Sequence, residues 1–92
     1  MNKSELIKLI HIKNNSFSIQ DVEDSVNTLI DFMSYSLSDG NRIEIRGFGT
    51  FSVRKRDKRF ARNPKTGKAI SVPIKHHPYF RSSKNLKETL NN

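Results

Sequence analysis

The chain has 92 residues, no cysteine and three histidines, and its 17 Lys and Arg against 9 Asp and Glu give a formal net charge of +8. Without thiols there are no disulfides or thiolate metal sites, and three histidines are too few ligands for a zinc site, so neither metal nor cofactor is expected. A domain this small buries only about 60 to 65% of its unfolded surface, which leaves oligomerisation as the remaining source of stability.

The charge is split along the chain. Residues 1–52 carry five Lys/Arg against seven Asp/Glu, net −2, and residues 53–92 carry twelve against two, net +10. Segregation of this size predicts a polyanionic partner contacted by the C-terminal half, nucleic acid before a membrane surface, because the basic half lacks a helical apolar face. No segment approaches the ~20 apolar residues of a membrane span, and the first residues lack a signal-peptide pattern. A soluble, cytoplasmic protein is expected.

Asn2 is placed to cap a helix over about residues 3–13, with Glu5 three positions on and Leu6, Ile7, Leu9 and Ile10 at helical spacing. Asn14-Asn15-Ser16 breaks it, and Ser18 with Asp21 opens a longer helix against which Phe17 packs as a staple. Val22, Val26, Leu29, Ile30, Met33 and Leu37 share one face of that helix, widened by Phe32 and Tyr35, and read as core. Asp39-Gly40 ends it.

Arg42-Ile43-Glu44-Ile45-Arg46 alternates polar and apolar, as does Phe48-Gly49-Thr50-Phe51-Ser52-Val53, which predicts a hairpin with Gly47 near the bend. Ile43, Ile45, Phe48, Phe51 and Val53 do not fit one face of a regular ribbon, so a bulge or twist is expected around Gly49. A nucleotide-binding loop is excluded here. Ser52 stands where the third glycine belongs and no helix follows.

The next stretch is a long basic β-ribbon with its bend at Arg62-Asn63-Pro64-Lys65-Thr66-Gly67-Lys68, since proline cannot donate to a ladder. Its sides hold too few large apolar residues to bury a face, so it extends into solvent. Two readings of Pro64 stand: a plain Asn-Pro turn, or an apolar wedge that enters a base step and bends the duplex. Pro78-Tyr79-Phe80 returns the chain to the body, and Ser82 or Ser83 caps a short last helix with Leu86 and Leu90. Lys84 in its first turn is either a solvated surface lysine or a phosphate ligand.

No nucleophile, base and orienting acid fall at a productive spacing, and His11, His76 and His77 read as surface or packing groups, so no enzyme is expected. A two-stranded basic ribbon fits a DNA groove, and each Lys or Arg on a phosphate gains from counterion release. RNA or general polyanion binding without bending is the competing use of the same charge.

Together, Gly47-Phe48-Gly49-Thr50-Phe51, Arg62-Asn63-Pro64-Lys65-Thr66-Gly67, and Pro78-Tyr79-Phe80 followed by Lys84 resemble the bacterial HU and integration host factor family over essentially the whole chain. Arg42 to Gly49 and the spacing from Lys75 to Phe80 look most like its integration host factor beta branch. The resemblance implies an α+β fold in an intertwined dimer, with a helical base, a three-stranded antiparallel sheet and one long β-ribbon arm per chain. It implies a single domain over 1–92: a helical dimerisation part at 1–40, sheet at 41–53 and 76–81, a DNA-binding arm at 54–75 and a C-terminal helix at 82–92.

By the same resemblance Pro64 intercalates and Arg62 and Asn63 flank it in the minor groove, while Arg54, Arg56, Arg59, Lys65, Lys68 and Lys75 line the arm. Arg46 helps read the site, and Lys3, Ser4 and Lys84 make flank contacts near helix starts. The implied partners are double-stranded DNA and a second chain, either an alpha-like relative in a site-preferring heterodimer or an identical copy in an HU-like homodimer with little sequence preference. The implied location is the nucleoid. Ser82-Ser83 departs from the family's usual glycine before the lysine, which puts the cap geometry in question. His76-His77 replaces aromatic or aliphatic residues, and exposed near DNA these would add affinity as pH falls.

Overall fold

The computed structural model describes the chain except Asp57, Lys58, Asn63, Pro64 and Pro73, and side chains are described for residues 1–55, 65–69 and 74–92. It divides into two compact units, Met1–Tyr35 and Ser36–Asn92. The fold is α+β.

In the first unit α1 spans Lys3–Lys13 and is capped as its sequence requires, the Asn2 side chain accepting from the Glu5 amide at 2.9 Å. The second helix, α2, spans Ile19–Ser38 and begins the same way, with the Asp21 amide donating to Ser18 Oγ at 3.1 Å. Phe17, which the sequence places as a staple, lines a recess with Ile10, Val22 and Val26. The Lys3 ammonium donates to Asn27 Oδ1 at 2.9 Å and so ties α1 to α2. Among the described residues only two apolar side chains, Ile7 and Val22, are buried, while Leu29 is 59% and Phe32 67% exposed. The core face read from the spacing of α2 is therefore only partly covered within one chain, with Val22 buried, Val26, Met33 and Leu37 half-buried, and Leu29 and Ile30 exposed.

The second unit starts in the last turn of α2. Gly40, at φ +81, donates to the Leu37 carbonyl, and the Asn41 amide reaches back to Ser36, a paired closure that needs a left-handed residue after the helix. Strands β1 (Ile43–Ile45), β2 (Gly49–Arg56) and β5 (Lys75–Ser82) form an antiparallel sheet in the order β1-β2-β5. Strands β3 (Arg59–Arg62) and β4 (Ala69–Val72) form a separate two-stranded ladder.

Of the bulge or twist expected around Gly49, the register corrects the bulge. Ile43 pairs with Phe51, Glu44 with Thr50 and Ile45 with Gly49, one residue against one. Phe48, which the alternation assigns to the strand, lies in the turn and donates its amide to the Ile45 carbonyl at 2.9 Å. Gly47 supplies the positive φ, +82, at the turn's third position. With Phe48 removed from the strand, Ile43, Ile45, Phe51 and Val53 fall on one face.

On that face Phe51 pairs with Phe80 and Val53 with Pro78. The rings of Phe48, Phe51 and Phe80 cluster, with centroids 4.8 to 6.4 Å apart. Gly49 is buried beneath Phe80, and a β-carbon there would lie 2.6 Å from the ring's Cε1 and Cζ. Helix α3 (Lys84–Leu90) follows β5 directly. The Ser83 amide donates to the Phe48 carbonyl at 2.8 Å, and Ser83 Oγ accepts from the Leu86 amide at 3.0 Å. Ser83 is thus the cap, and Ser82 ends the strand opposite Gly49.

Candidate nucleic-acid interface

The opposite face of the β1-β2-β5 sheet gathers the charge. Arg42, Glu44 and Arg46 around β1, Thr50, Ser52 and Arg54 on β2, and Tyr79 and Arg81 on β5 line one open recess of about 470 Å³, with Ser83 and Lys84 at its α3 end. Four arginines and a lysine against a single carboxylate give it a positive potential, and Thr50 and Ser52 add neutral hydroxyls suited to phosphate oxygens. The alternation of the strands produces this division. Phenylalanines pack on one side and guanidinium groups stand on the other.

The structure brings Arg46, Arg54 and Lys84 of the residues expected from sequence around this one recess. Arg54 lies over the Tyr79 ring, its guanidinium carbon 3.4 Å from the centroid. Lys84 is exposed and 4.0 Å from Glu88 one helical turn on, a surface pair that is weak in water. Arg42 and Arg81 were missed by the sequence reading. The signal for both was parity: Arg42 shares the two-residue period of Glu44 and Arg46, and Arg81 that of Tyr79.

Beyond the recess, β2 and β5 stay paired as far as Arg56 opposite Lys75, so the body sheet leads directly into the ribbon. Arg59 and Arg62 occupy ladder positions opposite Val72 and Ala69. Lys65 and Lys68 are exposed in the connection between β3 and β4, where the Lys68 amide donates to Thr66 Oγ1 at 3.4 Å and Gly67 takes φ +71. Asn63 and Pro64, the expected minor-groove and intercalating pair, lie outside the described residues.

Lys3 and Ser4 belong to the helical unit. Lys3 is bonded to Asn27, and the Ser4 hydroxyl donates to Asn2 Oδ1 at 2.8 Å. His76 and His77 are both exposed and lie opposite Lys55 and Arg54. Alternation therefore puts His77 on the basic face and His76 on the face of Val53 and Phe51.

An α+β unit with arginines on one sheet face, continued by a basic ribbon, is the frame of a protein that meets an extended polyanion. The chain belongs to the family described as bacterial DNA-binding protein, whose pattern matches residues 1–91. It is 52% identical to the integration host factor subunit beta of Marinobacter nauticus over 91 residues, 99% of this chain and 93% of that one. It is 50% identical to the corresponding subunit of Hahella chejuensis over the same shares. In three dimensions it resembles HU in an Anabaena HU–DNA cocrystal structure, with a TM-score of 0.83 at 28% identity over 98% of this chain and 97% of that one. HU from Thermotoga maritima gives 0.66 at 26% identity, covering 98% of each chain.

Proposed function

We propose that this chain is a non-enzymatic architectural protein that binds and bends duplex DNA, acting as the beta-like subunit of a site-preferring heterodimer. The observation that carries the reading is the arginine-lined face of β1-β2-β5 and its unbroken pairing into the ribbon as far as Arg56 and Lys75. A duplex laid along this surface meets phosphate ligands on the body first and is then followed by the arm, residues 54–75. Pro64, with Arg62 and Asn63 beside it, opens a base step in the minor groove. The unstacking costs a few kcal/mol and is offset by the additional protein surface the bent duplex touches.

The uncovered apolar side chains of α2, with Leu29 and Phe32 foremost, supply the dimer contact that a 92-residue chain needs. The two compact units then serve as parts of one domain, helical base and DNA-binding sheet, placing the protein on the bacterial nucleoid in the cytoplasm. The named relatives favour an alpha-like partner. The structural likeness to HU supports a second reading, a homodimer with little sequence preference.

The test is the end-to-end distance of a duplex labelled at both ends, read by energy transfer at saturating protein. The wild-type chain with its partner shortens it, and Pro64→Ala leaves binding but loses much of the shortening. Undiminished bending by Pro64→Ala would contradict the wedge. Binding without any bending by the wild type would make the protein a charge binder only. Competition between a specific and a random duplex separates the two dimers, because discrimination of at least ~10³ that appears only with the partner identifies the heterodimer.

A further inference from the structure

Tyr79 and Arg54 stand diagonally across the β2–β5 ladder, since Ser52 pairs with Tyr79 and Arg54 with His77. Both side chains lie on the basic face, and the Arg54 guanidinium is stacked on the ring at 3.4 Å. We propose that Tyr79 is a positioning residue, holding Arg54 flat so that its edge N–H groups are presented to a DNA phosphate where the sheet runs into the arm. This rests on the DNA-binding reading above.

Among the described residues the partner of Arg54 is an aromatic ring rather than a carboxylate, and that decides its use. A salt bridge would spend the charge on the protein, whereas stacking on a ring face leaves the in-plane donors of the guanidinium and its full charge available. The carboxylate that lines the recess, Glu44, stands on β1 opposite Thr50. An arginine already held loses fewer rotamers when the phosphate arrives, and freezing one long side chain weakens binding by about two- to tenfold. The ring face under Arg54 is occupied, so on that side Tyr79 is not a platform for a nucleic-acid base.

The experiment is a double-mutant cycle on duplex affinity at several salt concentrations, using the full chain in its assembled dimeric form. Tyr79→Phe keeps the ring and is expected to bind like the wild type. Tyr79→Leu is expected to bind about two- to tenfold more weakly, and to cost nothing further in an Arg54→Gln background. Arg54→Gln lowers the slope of log affinity against log salt by about one, whereas Tyr79→Leu leaves that slope unchanged. Arg54→Lys, on an exposed residue with its charge kept, tests the proposal without risk to the fold and is expected to weaken binding as Tyr79→Leu does. Full wild-type affinity of Arg54→Lys, or an equal loss from Tyr79→Leu with and without Arg54, overturns the positioning role. Weak, salt-independent binding by the wild type itself would overturn the DNA-binding reading and this one with it.

Discussion

At Gly49 a hydrogen stands where any other residue would carry a β-carbon, and the reason is the Phe80 ring lying over it rather than a special backbone angle. Gly49→Ala drives that carbon to 2.6 Å from the Arg81 carbonyl oxygen as well as from the ring, so backbone and core must both shift. The expected cost is about 1 to 3 kcal/mol, read by chemical denaturation, and an unchanged midpoint would contradict the packing described. On β5 the two histidines are divided between the faces. His77 faces the side of Arg54 and Tyr79, and His76 the other side.

At the scale of elements, the short α3 depends on its first residue. Ser83 accepts from the Leu86 amide and donates its own amide to the Phe48 carbonyl, which joins the helix start to the β1–β2 turn. Ser83→Ala keeps the second bond and loses the first, at about 1 kcal/mol. Faster amide exchange confined to α3 and weaker binding through Lys84 are the expected results, and unchanged exchange at Leu86 would contradict the cap. The caps of α1 and α2, the Asp39-Gly40 stop and the β1–β2 hairpin were legible because each is set by residues a few positions apart, such as Asn2 with Glu5 and Ser18 with Asp21, whereas the third strand of the sheet came only with the family resemblance. The regular pairing at Gly49 was not legible, because it hangs on where the turn ends, and Phe48 fits either an alternating strand or a turn. Arg42 and Arg81 escaped for a related reason. Each is an unremarkable surface cation until register places it beside Arg46 and Arg54 on one face.

For the whole molecule, few apolar side chains among the described residues are buried by the chain alone. Phe32 and Leu29 are more than half exposed on α2, and a dimer that covers this face is expected at micromolar concentration. Phe32→Glu should shift sedimentation toward monomer and lower the melting temperature in a concentration-dependent way, while an unchanged sedimentation coefficient would place the interface elsewhere. The proposed DNA surface rests on the division of the sheet into an apolar and a basic face. The most direct measurement is the salt dependence of duplex affinity for the wild type and for a variant carrying Arg42→Gln, Arg46→Gln and Arg81→Gln, checked for a native circular dichroism spectrum. With about 0.9 of slope lost per phosphate contact, the variant should show a slope shallower by about 2 to 3. An unchanged slope with a native fold would mean that DNA does not lie on this face of the sheet.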